Sequence, residues 1–81
     1  MSTVSIKKGL VNMKMDRNAI VNIEDTSDGI IFNFKDCYFY VIDMSMPLQV
    51  KRLIKTSFDG FTEGNIEIDL NNYMKPVKVV L

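Results

Sequence analysis

"CYFYVIDMSMPLQVKRLIKTSFDGF", Cys37 to Phe61, joins an aromatic run to an amphipathic one across Pro47. Tyr38, Phe39, Tyr40, Val41 and Ile42 are the aromatic and β-branched types that suit a pleated, half-buried surface, and they predict a strand. Beyond Pro47, Val50, Leu53, Ile54, Ser57, Phe58 and Phe61 fall at i, i+3, i+4, i+7, i+8 and i+11, which predicts one helix over about 47–59 with this stripe facing the core. Ser45 is the expected N-cap, Pro47 suits the first turn because its missing N–H is not needed there, and Gly60 is the expected C-terminal stop. A strand delivering its chain into a single helix sets the fold class. The rest of the sequence supplies more strands.

Upstream, Val4 and Ile6 alternate with polar residues, Lys8-Gly9 interrupts, and Val11, Met13 and Met15 alternate again, so two short strands and a tight turn are expected. Ala19, Val21 and Ile23 share one face of a third strand, which ends at "EDTSDG", where Asp28-Gly29 supplies the positive φ of a tight hairpin turn. "IIFNFKDCYFYVID" then reads as a hairpin with its loop around Asp36. Placing Phe34 opposite Tyr38, Phe32 opposite Tyr40 and Ile30 opposite Ile42 puts six large side chains on a core face. Downstream of the helix, Asn65 to Leu70 alternates strictly, Asn71-Asn72 turns the chain, and Val77, Val79 and Leu81 share a face of a last strand. The expected architecture is a single α+β domain, residues 1–81. It is an antiparallel sheet or small partly open barrel of six to seven short strands, with the one helix packed on it.

The composition agrees. A chain of 81 residues buries only about 60% of the surface its unfolded form exposes, so its stability margin is thin. Ala19 is the single alanine, and β-branched residues abound, which favours strands. Ten basic and ten acidic side chains cancel, removing the long-range field that draws a small protein to nucleic acid or to an anionic membrane. Cys37 is alone, which points to a reducing, cytoplasmic compartment. "MSTVSIKKGLVNMKMDR" has no long apolar run, so neither a signal peptide nor a spanning segment is expected.

Catalytic signals are absent. Without a histidine there is no imidazole to activate a nucleophile near neutral pH. Cys37 sits in a hairpin turn with no partner to hold a thiolate. Asp25, Asp28 and Asp36 occupy turns and Asp43 precedes the helix, roles that aspartate fills for structural reasons. "EDTSDG" lacks the alternating ligands and distal glutamate of a calcium loop, zinc would need His or paired Cys, and the glycines are too scattered to cradle phosphate. The expectation is no enzyme, no cofactor and no metal.

Two interaction surfaces are left. The expected hairpin register puts Ile31, Asn33, Phe39 and Val41 on a reverse face more apolar than a solvated sheet allows. A second copy of the chain could cover it, giving a homodimer with Phe39 near its centre, or the N-terminal strands with Val11, Met13 and Met15 could close over it. The alternative class is a single-stranded nucleic-acid binder, using Lys51, Arg52 and Lys55 for phosphates and the aromatics of 38–40 for stacking. Those cations lie opposite the expected apolar stripe, however, and read first as the solvated face of the helix. The first reading is therefore a small interaction or self-association module.

The order of elements in "GIIFNFKDCYFYVIDMSMPLQVKRLIKTSFDGF", Gly29 to Phe61, resembles KTSC-type small domains, in which aromatic strands lead through a proline into one helix. The resemblance implies a binding or interaction role and brings no catalytic residue with it. The bias toward Ile, Asn, Asp and Lys with scarce Ala also resembles products of AT-rich microbial or bacteriophage genomes.

Overall fold

The structure, a computed structural model, describes residues 2–81. Seven strands and one helix follow in the order β1 (Ser2–Lys8), β2 (Val11–Asp16), β3 (Ile20–Thr26), β4 (Gly29–Phe34), β5 (Tyr38–Ile42), α1 (Leu48–Gly60), β6 (Gly64–Asp69) and β7 (Val77–Val80). A single 3-10 turn, Arg17–Ala19, lies between β2 and β3. This is the expected small α+β class, with no closed barrel. The strands form two sheets, one ordered β2-β1-β6-β7 and the other β3-β4-β5. All neighbours are antiparallel except β1 and β6, which run parallel. That pairing is possible because the whole segment from β2 through α1 serves as the crossover.

Alternation decides the core in the four-stranded sheet. Val4 and Ile6 of β1 and Ile66 and Ile68 of β6 are fully buried, and in register they face each other across the parallel pair. Met13, Met15 and Val77 pack beside them from β2 and β7. From the three-stranded sheet come Ile20, Ile23, Ile30, Phe32 and Val41, and from the helical side Met46, Val50, Ile54, Phe58 and Phe61, all in one cluster.

Several local expectations are corrected. In β3 Ile23 is buried as expected, but its buried companion is Ile20 and not Ala19 or Val21, because the register with β4 shifts between Ile20 and Asn22. A bulge lets two residues three apart point the same way and turns Val21 out to solvent. Gly29 does not have positive φ; the only positive-φ residues described are Gly9 (60°) and Gly64 (95°). Thr26 pairs with Gly29, so Ser27 and Asp28 form the turn, and Gly29 serves the strand for a different reason, its closeness to Val41. The helix does end at Gly60, the expected stop, and the chain leaves in extended conformation at Phe61 without a left-handed residue.

The helix matches the expected span but is rotated about its axis. Pro47, not Ser45, holds the N-cap position, and its carbonyl accepts from the N–H groups of Val50 (3.1 Å) and Lys51 (3.2 Å). Ser45 instead donates both its N–H (2.9 Å) and its hydroxyl (2.6 Å) to Asp43 Oδ1, closing a turn ahead of the helix. The buried side is Val50, Lys51, Ile54 and Phe58, and Leu53 is 48% exposed. Lys51 lies one turn before Ile54 and shares its face, whereas Leu53, the residue directly before Ile54, is rotated off it. No described helix is long and apolar enough to cross a membrane.

Candidate functional site

The hairpin of β4 and β5 carries the expected interface residues, and its register is one residue away from the expected one. Phe32 faces Phe39, Ile30 faces Val41 and Asn33 faces Tyr38. The cause lies in the loop: the Phe34 N–H donates to the Cys37 carbonyl (2.9 Å), so the ladder closes on a four-residue turn. A one-residue slip moves every side chain of β5 to the other face. Ile31, Asn33, Phe39 and Val41 therefore do not share a face. Val41 is buried, and the Phe39 ring packs on the core with its centroid 6.2 Å from that of Phe32. The outer face holds Ile31 and Asn33 together with Tyr38 (66% exposed), Tyr40 and Ile42 (65% exposed).

The basic cluster is also divided. Lys51 is only 6% exposed, and its ammonium donates to the carbonyl of Thr26 at 2.6 Å, tying α1 to the end of β3. Its alkyl stem lies against the core while the charged head finds a backbone acceptor, as long amphipathic side chains do. Arg52 and Lys55 stay exposed. The three cations consequently do not form one surface.

Two tyrosine–carboxylate pairs were not anticipated. Tyr40 donates to Asp28, which also accepts from the Thr26 hydroxyl (2.9 Å). These hydrogen bonds, that from Tyr40 first, hold the Asp28 carboxyl below its ordinary range, and the same bond raises the Tyr40 hydroxyl. Tyr73 donates to Asp43 Oδ2 at 2.5 Å, and Lys8 approaches that oxygen at 3.9 Å. Asp43 thus clasps the loop before α1, the end of β1 and the segment between β6 and β7. The hydrogen bonds from Ser45 and then Tyr73 push its carboxyl down to about 2, while desolvation and the Asp43 bond push the Tyr73 hydroxyl up to about 12. Both phenols stay protonated at neutral pH and brace the segments they join. Sequence spacing offers no signal for these pairs, because Asp43 and Tyr73 are thirty residues apart.

The Asp43 clasp sets a pH dependence. The carboxyl falls from 3.8 to about 2, so its contribution to stability is complete above the higher value and is lost as pH falls through the lower. Tyr73 rises from 10 to about 12, so its contribution is complete below the lower value and lost as pH rises through the higher. In urea titrations from neutral pH down to about 2, the parent midpoint is expected to fall further than that of Asp43→Asn. Parallel curves would show the clasp to be energetically idle.

Each sheet ends in two strands that have one neighbour only among the described residues. Asp43 N–H donates to the Asp28 carbonyl and Phe34 N–H to that of Cys37, so by the alternation of an antiparallel ladder Phe39 and Val41 bond to β4 while Tyr38, Tyr40 and Ile42 turn their N–H and C=O groups outward. Edges are normally guarded by charge, proline or a bulge. Among the described edges, β2 carries Lys14, β3 carries the bulge, and β7 carries Lys78 and follows Pro76. Strand β5 has none of these. Compared with protein families, curated proteins and solved structures, the chain matches none of them.

Proposed function

We propose that this chain is a small non-enzymatic self-association module, forming a homodimer through strand β5. The observation that carries it is the unguarded β5 edge, with three outward-facing residues and no charge. An antiparallel pairing about a twofold axis at Tyr40 sets Tyr40 opposite its own copy and Tyr38 opposite Ile42, so all three outward residues bond and the two most exposed side chains of the strand cover each other. Such an isologous contact is self-complementary and closed. The Gly29–Phe61 resemblance to KTSC-type domains points toward binding as well.

The test exploits the register. Tyr38→Lys with Ile42→Lys places like charges opposite each other twice and is expected to give a folded monomer in sedimentation runs across a dilution series. Tyr38→Lys with Ile42→Glu places opposite charges together and is expected to remain dimeric. Both positions are exposed, so each substitution should change fold stability by less than about 0.5 kcal/mol. A parent that stays monomeric at the highest concentration reached overturns the proposal, as does identical behaviour of the two double variants.

A further inference from the structure

Strand β7 ends the four-stranded sheet, and its outer edge is unpaired. The Pro76 carbonyl accepts from Asp69 N–H at 2.8 Å, and Glu67 pairs with Lys78. By the same ladder alternation, Val77 and Val79 turn their N–H and C=O groups toward the open side. At this edge lies a cleft of about 620 Å³ lined by Leu53 of α1, Met74 and Val77 together with Lys75, Lys78 and further charged residues of β1 and β6. This is where the misplaced Leu53 comes to lie, half-exposed beside a strand that has no partner.

Charge distinguishes the occupant. The two carboxylates at the cleft are engaged: Glu67 by Lys7 at 3.8 Å and Asp69 by the N–H of Asn71 at 2.9 Å. Lys75 and Lys78 make no ion pair among the described residues. A second β7 paired through both Val77 and Val79 would put Lys78 directly opposite its own copy, which is unfavourable. An incoming strand with acidic residues meets those lysines instead. Its alternate residues fall on the Leu53 side, beside the apolar Leu53 and Val77.

We infer that the β7 edge receives an extended peptide of alternating apolar and acidic residues, which adds as a fifth strand with its apolar side chains toward Leu53, Val77 and Val79 and its carboxylates toward Lys75 and Lys78. Backbone pairing supplies affinity in this mode and the alternate side chains supply selectivity. The site lies in the other sheet from β5 and does not depend on the oligomeric state.

The probe is an acetylated, amidated heptapeptide of alternating glutamate and valine, compared with one in which lysine replaces glutamate, titrated into the ¹⁵N-labelled parent. The glutamate peptide is expected to bind and to shift the Val77 and Val79 amides, and the lysine peptide is not. Lys75→Glu with Lys78→Glu should weaken binding by about tenfold. Val79→Pro should abolish it while leaving the fold intact, because the N–H it removes faces outward and the β6 ladder does not use it. Binding of neither peptide, equal binding of both, shifts confined to β5, or β7 shifts that follow protein concentration without peptide each overturn the inference.

Discussion

Phe58→Ala is expected to remove much of the fold's stability at 25 °C. The ring is 1% exposed, sits on α1 in the single core cluster, and carries the Arg17 guanidinium 3.7 Å from its centroid. Arg17 also donates to the Phe58 carbonyl at 3.4 Å, so one residue anchors the 3-10 turn against the helix. Truncating a buried phenylalanine costs about 3–5 kcal/mol, and losing the cation–π contact adds about 0.5–1 kcal/mol. Against a total stability of about 4–12 kcal/mol for a chain this long, that removes much of the margin. Leu53→Ala, five residues earlier on the same helix but half-exposed, should shift stability by less than about 1 kcal/mol. Urea midpoints of the two variants separate these roles, and midpoints that fall together would mean that α1 is rotated from the orientation described.

The second large effect is expected at Gly29, where the backbone is the obstacle. A Cβ there would lie 1.9 Å from the carbonyl oxygen of Val41, 2.9 Å from its carbonyl carbon and 3.1 Å from Cα of Ile42. No side-chain rotation relieves contacts with backbone atoms, so Gly29→Ala has to push β5 away from β4. That strains the Gly29–Ile42 and Ile30–Val41 pairs and the hydrogen bond from Asp43 N–H to the Asp28 carbonyl (2.7 Å). Overpacking typically costs about 1–3 kcal/mol, and a clash this short belongs at the upper end or beyond. Gly60→Ala is the control, since nothing lies within 4 Å of that Cβ and the φ is not positive. It should be neutral or stabilise by about 0.4–1 kcal/mol through the unfolded chain. Thermal melts that rank the two glycines equally would contradict the close approach of β4 and β5.

Period and composition by themselves determined the α+β class, the helix over its first-to-last turn, and the buried residues of β1 and β6, where Val4, Ile6, Ile66 and Ile68 alternate without interruption. Strict alternation leaves one way to bury a strand, which is why those positions could be read directly. Tertiary structure decided the rest. The Phe34–Cys37 turn set the β4–β5 register and exchanged the inner and outer faces of β5, since a hairpin register depends on loop geometry that residue types alone do not specify. An unpaired residue at the β3 bulge turned Val21 outward, against its apolar character. Around α1, Leu53 and Lys51 are two residues apart and flank the buried arc; packing against β3, with the Thr26 carbonyl there to receive the ammonium, drew the lysine in and left the leucine beside β7. The interaction surfaces followed from these choices. An open strand edge is defined by which neighbours it lacks, and that is a property of the assembled sheets and not of any segment of the chain.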